Sequence, residues 1–348
     1  MLLESYRPQP NLVSKTTSVV NPRFPVVDAH NHLGELFGGG WNQKPLSELL
    51  DVLDRSRVRL YVDLDGGWGE EVLNAHLEHF KRPAPERFKI FGGIDWSKWT
   101  EMGNAFPEWA AQRLILQKAR GAEGLKIWKN LGLHVRDQQG ERVAVDDPRL
   151  APIWETAAEL NLPVLIHVAD PPAFFKPLDE RNERWEELHA HPDWHFPSPP
   201  FPPFSAIMTE LAHLITHHPR TTFIGAHVGC YAEDLAWVGA LLDRCPNFYV
   251  DISARLGELG RQPYTARRFF TRYADRILFG TDMSPDLALY RIYYRFLEAD
   301  DEYFSYSTNE IPEQGRWQIY GLFLPDNVLE KIYFRNAMEV FGLKGNLE

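Results

Sequence analysis

Eight times along the chain an apolar run ends at a turn or a polar cluster: VVDAHNH (26–32), RVRLYVDLD (57–65), RFKIFGGID (87–95), GAEGLKIW (121–128), LPVLIHVAD (162–170), TTFIGAHVG (221–229), NFYVDIS (247–253) and RILFGTD (276–282). Short runs of this composition read as buried strands. Between them lie segments such as PLSELLDVLDRS, PEWAAQRLILQKA, FSAIMTELAHLITHH and PDLALYRIYYRFLEA, whose apolar residues mostly recur at helical three- and four-residue spacing. Alternating strands and helices call for parallel strands joined by crossover helices. Eight repeats of roughly 30 residues fit a closed (β/α)8 TIM barrel better than an open doubly wound sheet. No glycine-rich phosphate loop follows the first strand, which counts against a dinucleotide fold. The pattern predicts an α/β protein with one barrel domain over residues 1–348.

Two segments break the rhythm. Residues 171–203 follow the fifth strand and carry nine prolines among Phe174, Phe175, Trp185, Trp194, His195, Phe196 and Phe201. Disordered segments are poor in aromatics, so this insertion is expected to be an ordered lid on the rim. After Ala299 the chain reads RWQIYGLFLPDNVLEKIYFRNAMEVFG, which predicts one or two extra C-terminal helices against the barrel.

Composition narrows the partners. Of 348 residues 44% are hydrophobic, and the formal charge is −11 with no Lys/Arg-rich run, so nucleic acid and anionic membranes are excluded as expected partners. A small-molecule substrate is expected, with a homo-oligomer left open. The first 25 residues show no basic-then-apolar leader and no span near the ~20 apolar residues of a membrane helix. The two cysteines, Cys230 and Cys245, make no disulfide framework or zinc spacing, and a cytoplasmic location is expected.

Chemistry concentrates at the strand ends. His30 and His32 stand two apart in an extended run, so their imidazoles share one face. His167, His227 and Asp282 close three later runs, and in a barrel the carboxyl ends of the strands form the functional rim. Any single histidine is more readily a core or surface residue; five such groups at one rim predict a divalent metal site.

DAHNH, IHVADP, GAHVG, FGTDMSP and the closing LPDNVLEKIYFRNAMEVFG together resemble the amidohydrolase superfamily, and more narrowly the amidohydrolase 2 family, over nearly the whole chain. The resemblance implies a strand-one HxH pair, a strand-five ligand at His167, a strand-six histidine at His227 and a strand-eight aspartate at Asp282. It implies Asp282 as base toward a water activated by the ion, and His227 as a second catalytic group that binds the substrate carbonyl oxygen or holds the water. One ion on His30, His32, His167 and Asp282 is expected, zinc first with manganese as alternative. A second ion enters only if Lys126 in GLKIW is carbamylated, with His30 and His32 on one metal and His167 and His227 on the other. Otherwise Lys126 stays an amine toward a substrate carboxylate, or in a buried salt bridge with a strand-end carboxylate such as Asp95.

Arg255, and less so Arg261, in DISARLGELGRQP are candidates to hold a substrate carboxylate, against a role as rim braces. Trp96 and Trp128 are candidate walls or packing. Asp63, Asp65 and Asp251 are strand-end carboxylates that either touch substrate or hold a ligand histidine. The leading function is a metal-dependent hydrolase of a small ester, lactone or amide. The alternatives are a metal-dependent non-oxidative decarboxylase (a lyase) of a small unsaturated or aromatic acid, and a non-catalytic ligand-binding barrel.

Overall fold

The computed structural model describes residue 6 and residues 9–343. Among them the strands are β1 (Val26–Asn31), β2 (Val58–Asp63), β3 (Phe88–Ile90), β4 (Gly92–Gly93), β5 (Leu125–Ile127), β6 (Val164–Ile166), β7 (Phe223–Gly225), β8 (Phe248–Asp251) and β9 (Ile277–Leu278). Every pairing between them is parallel. β3 and β4 are two halves of one predicted run. The Phe91 amide donates to the Asp63 carbonyl at 2.9 Å, whereas the Gly92 amide turns to the Gly124 carbonyl at 3.0 Å, so this run serves β2 and then β5. The cylinder closes where the Ala29 amide meets the Phe279 carbonyl at 2.9 Å and the Asp282 amide meets the His30 carbonyl at 2.8 Å. The result is the predicted eight-run TIM barrel.

Helices cover the outside of the sheet and side chains fill the inside, so both strand faces are apolar, as parallel sheets require. All six residues of β1 are buried. One crossover helix follows each run: Leu46–Arg55, Glu70–His76, Phe106–Arg120, Ala151–Glu159, Phe204–His217, Leu235–Arg244, Pro263–Arg272 and Leu287–Glu298. Several start where the sequence offers a cap. Asp234 accepts from the amides of Ala236 and Trp237, and Asp286 from that of Leu289.

The paired strands are shorter than the sequence runs because the last residues of each run leave the ladder to build the rim. The 171–203 insertion is ordered, with short helical turns at Pro172–Phe175, Trp185–Ala190 and Pro192–Trp194, and with Phe174, Phe175 and Phe196 buried. The C-terminal helix runs through Asp326–Glu330, a π segment at Lys331–Arg335, and Asn336–Val340. Asn336 Nδ2 ties it to the barrel by donating to the carbonyls of Ala274 and Ile277, both at 2.7 Å. Cys230 and Cys245 are buried and unpaired. Among the described residues no helix is long and apolar enough to cross a membrane.

A buried carboxylate braces the β1–β9 seam. Asp28 accepts from the Thr281 amide (3.1 Å), the Thr281 hydroxyl (2.9 Å) and the Tyr290 hydroxyl (2.8 Å). Tyr290→Phe withdraws one donor from a carboxylate that water cannot reach and is expected to cost about 1–3 kcal/mol. Urea unfolding followed by circular dichroism measures it, and an unchanged midpoint would remove Asp28 as a brace.

Candidate metal centre

Two carboxylates set the orientation of the first pair of imidazoles. His30 Nδ1 lies 2.8 Å from Asp251 Oδ2, and His32 Nδ1 lies 2.7 Å from Asp65 Oδ1, all four side chains being buried. A proton on each Nδ1 satisfies its carboxylate and reserves Nε2 for a metal, His32 first giving up the second proton that Asp282 helps it hold. Both Nε2 atoms face Asp282, whose Oδ1 stands 3.1 Å from that of His32 and 3.6 Å from that of His30. One ligand atom from each of His30, His32 and Asp282 lies within 4.8 Å of the others.

The rim backbone is bent to aim these groups. Asp282 (φ 54°), His227 (φ 57°) and Val228 (φ 59°) lie in the left-handed region, which side-chain-bearing residues adopt at a cost of about 1–3 kcal/mol each and which clusters at functional sites. The bend brings His227 Nε2 to 3.6 Å from Asp282 Oδ2. His227 Nδ1 faces two oxygens, the Ser253 carbonyl at 2.9 Å and the Ser253 hydroxyl at 3.0 Å. That hydroxyl is committed as a donor to Asp251 Oδ1 at 2.5 Å, so the His227 proton sits on Nδ1 and Nε2 is bare. Gly280 permits the seam to close over the site: a Cβ there would stand 3.0 Å from that of His30.

Electrostatics follow burial. Burial, then the Arg255 charge, hold His227 well below the usual imidazole range, and burial pushes His167 down to about 4. His32 is desolvated too, but Asp282 and Asp65 outweigh that and lift it to about 9. Burial would raise Asp251, yet His30, His227 and Ser253 hold it below the ordinary carboxylate range. Lys126 is brought down to about 8 by burial, against the pull of Asp282 and Asp251.

The donor set fits a divalent ion. Two imidazole nitrogens and a carboxylate converge, and a further histidine, His167, stands beside them with its ring 4.5 Å from that of His227. With the histidines neutral, as ligands must be, Asp65, Asp251 and Asp282 supply three carboxylates around the point of convergence against the single ammonium of Lys126. Two negative charges are left over, which a divalent cation neutralises.

The family model described as amidohydrolase (Amidohydro_2) matches residues 100–343, most of the chain. The chain belongs to the amidohydrolase family. His30 and His32 lie ahead of the matched residues, but the structural likenesses take in nearly the whole barrel. 2,6-Dihydroxybenzoate decarboxylase from Rhizobium is 17% identical with a TM-score of 0.56, covering 92% of this chain and 100% of its own. A dihydroxybenzoic acid decarboxylase from a Polaromonas species, with bound manganese and the inhibitor 2-nitroresorcinol, is 16% identical with a TM-score of 0.55, covering 92% and 97%. A probable 2-pyrone-4,6-dicarboxylic acid hydrolase from Acinetobacter baumannii, with citric acid bound, is 13% identical with a TM-score of 0.50, covering 92% and 100%. At these identities the likeness establishes the fold. No curated protein sequence matches the chain.

Within this family frame the predicted residues divide. His30, His32 and Asp282 meet at one point, and His227 Nε2 stands 3.6 Å from Asp282 Oδ2. His167 stands beside that point, its ring 4.5 Å from that of His227, but its Nε2 faces Asp170 Oδ1 at 3.4 Å and joins neither His30-containing trio of potential ligands. Lys126 Nζ is 3.5 Å from His30 Nε2 and 4.7 Å from the centre of the Trp128 ring. The suggested Lys126–Asp95 bridge does not form, because Asp95 is exposed and accepts instead from the amide and hydroxyl of Ser97. Arg255 is buried with its charge bearing on His227, whereas Arg261 pairs with Glu183 and acts as a brace. Trp96 packs on Trp99 and Phe106; Trp128 stacks on His32.

Sequence reasoning left Asp63, Asp65 and Asp251 undivided. The structure gives Asp251 to His30 and Asp65 to His32, while Asp63 holds His76 Nδ1 at 2.7 Å. Ser253 was missed, although its spacing of two from Asp251 already put both on one strand face. Asp251→Asn keeps the shape but removes the charged acceptor behind His30, and is expected to weaken metal affinity about 10–100-fold. His32→Ala is expected to lose the ion with the fold retained. Metal analysis after dialysis against graded chelator reads both, and wild-type retention in either variant would overturn this orientation.

Proposed function

We propose that the protein is a metal-dependent hydrolase that cleaves a small ester, lactone or amide. The observation that carries this reading is the pair of unprotonated acceptors at the centre. Asp282 spans from the His30 and His32 nitrogens to His227, and His227 turns its bare Nε2 inward. Hydrolysis needs a proton taken from water and returned to the leaving oxygen or nitrogen, and a carboxylate beside the metal suits both transfers. His30, His32 and Asp282, with His167 as a further donor, would hold a divalent ion, which would supply Lewis acidity and lower the pKa of water toward ~7. Asp282 takes the water proton. His227 Nε2 accepts a hydrogen bond from the same water and orients it; with its proton on Nδ1 it does not donate to the substrate carbonyl. Lys126, buried next to His30, and Arg255, whose charge bears on His227, supply the positive charge that meets a substrate carboxylate.

The Lys126 amine favours one ion. As an ammonium it leaves the site two negative charges, which suits one divalent cation; as a carbamate it would leave four, which calls for two. His167 and His227, which the two-ion reading pairs on one metal, share no trio of potential ligands. Zinc and manganese both accept this mixed nitrogen and oxygen set. The two buried, unpaired cysteines suit a reducing compartment such as the cytoplasm.

Decarboxylation is the second reading, supported by the buried Lys126 beside the centre and by the two neighbours named as decarboxylases of hydroxybenzoates. It requires a proton delivered to the carbon that loses carbon dioxide, so Asp282 would have to begin protonated. Metal-loaded protein is expected to release acid from a panel of lactones, esters and amides and no carbon dioxide from aryl or unsaturated acids; the reverse outcome would establish the lyase. Asp282→Asn is expected to lower kcat by a factor of about 100 or more with the ion still bound. Undiminished turnover in that variant would remove Asp282 as the base, and ligand binding with no turnover in any panel would favour a non-catalytic barrel.

A further inference from the structure

His30 and His32 each have a buried carboxylate behind one ring nitrogen, and the structure gives His167 one as well, on its other nitrogen. Asp170 lies three residues beyond His167 in the loop after β6, and its Oδ1 stands 3.4 Å from His167 Nε2. Its Oδ2 takes the Lys129 ammonium, from the segment after β5, at 2.5 Å. Asp170 is buried and Lys129 partly so. The Lys129 ammonium lies 5.6 Å from the centre of the Trp194 ring and 5.4 Å from that of Phe196, so two aromatic faces of the 171–203 insertion rest against this pair. The hydrolytic reading uses neither Asp170 nor Lys129.

The Lys129 charge fixes what Asp170 can do. A carboxylate paired with an ammonium stays ionised and only accepts, so the proton in the His167–Asp170 contact belongs to Nε2. A separation of 3.4 Å is long for a hydrogen bond, as contacts at unloaded sites commonly are, and a small turn of the ring shortens it. Out of water, an ionised oxygen keeps the donor within its reach, and among the described residues Asp170 Oδ1 meets no other. A neutral imidazole with its proton on Nε2 carries its free lone pair on Nδ1. Among the described residues nothing hydrogen-bonds to that nitrogen. The arrangement is the reverse of that at His30 and His32, where the carboxylates take Nδ1 and reserve Nε2.

We propose that Asp170, fixed by Lys129, is the positioning residue of His167: it keeps the ring proton on Nε2 and makes Nδ1 the nitrogen offered to a metal ion. The proposal rests on the metal centre of the hydrolase reading and needs no turnover. It gives each of the three histidines its own carboxylate, Asp251 for His30, Asp65 for His32 and Asp170 for His167, with the third set in the opposite sense. Because Trp194 and Phe196 lie against Lys129, the insertion is connected to His167 through two charges.

Nitrogen NMR of the full-length protein, isotope-labelled in histidine and compared metal-free and zinc-loaded, tests it; the His167 signals are those lost in His167→Gln. The wild type is expected to hold the His167 proton on Nε2 in both samples, while zinc-loaded His30 and His32 hold theirs on Nδ1. In Asp170→Asn the amide oxygen stays with Lys129, so the NH2 group faces Nε2 and drives the ring proton to Nδ1. Zinc affinity, read against graded chelator, is then expected to fall about 10–100-fold. Asp170→Ala removes the acceptor without adding a donor and is expected to lose less affinity than Asp170→Asn. A packing role would leave the tautomer where it is. The thermal midpoint reports whether the variants fold, and the wild-type spectrum decides the matter where one does not. Zinc bound with the His167 proton on Nδ1, or wild-type tautomer and zinc affinity in folded Asp170→Asn, would overturn the proposal. A wild type that takes up no zinc would overturn it together with the metal centre, whereas failure to hydrolyse any ester, lactone or amide removes the hydrolase reading and leaves these results standing.

Discussion

The site depends on a proton held in the wrong place for solvent and the right place for a metal. A free imidazole exchanges its proton between two nitrogens; here Asp251 and Asp65 fix it on the Nδ1 atoms of His30 and His32. Burial makes this arrangement firm, since a carboxylate out of water has few other donors to turn to. Asp251 has a second duty. Its other oxygen accepts from the His227 amide at 3.0 Å and from the Ser253 hydroxyl, which in turn faces His227 Nδ1. One buried carboxylate therefore organises two histidines on different runs, and a change there disturbs the orientation of both.

Barrel closure supplies the other half of the arrangement. β1 carries the histidine pair and the residues after β9 carry Asp282, so the ligands share a site only because the first and last runs are neighbours. The bond from the Asp282 amide to the His30 carbonyl joins the main chains of two site residues directly. Asp28, Thr281 and Tyr290 stiffen the same seam from within the wall. Such stiffness is what allows the left-handed backbone at His227 and Asp282 to persist, because an isolated loop would relax out of it.

Much of this was legible in the residues. Strand-helix alternation and the eight apolar runs were enough for the barrel, and the i, i+2 spacing of His30 and His32 was enough to put two imidazoles on one face. Asp282 and His227 were legible as strand-end residues, but the positive φ that aims them was not, because neither is glycine or asparagine and no propensity marks the bend. The division of labour among Asp63, Asp65 and Asp251 was equally hidden. All three stand at strand ends, and which histidine each meets depends on strand order and stagger across the barrel. Lys126 looked ready for a bridge to Asp95, yet Asp95 turns outward to bind Ser97 two residues on, a local bond that wins over a distant ion pair.

The insertion shows how a proline-rich segment becomes structure instead of a flexible flap. Its aromatic residues Phe174, Phe175 and Phe196 bury against the rim, which supplies the apolar contact that a merely polar loop lacks. Its charged stretch then meets partners from two other parts of the chain, the loop after β8 through Glu258 and Arg261 and the C-terminal segment through Arg316. Exposed ion pairs contribute little to stability, but the buried Arg184–Glu258 pair is different in kind, because losing either member strands a charge out of water. The insertion is thus held by a few specific charges above a layer of aromatic packing.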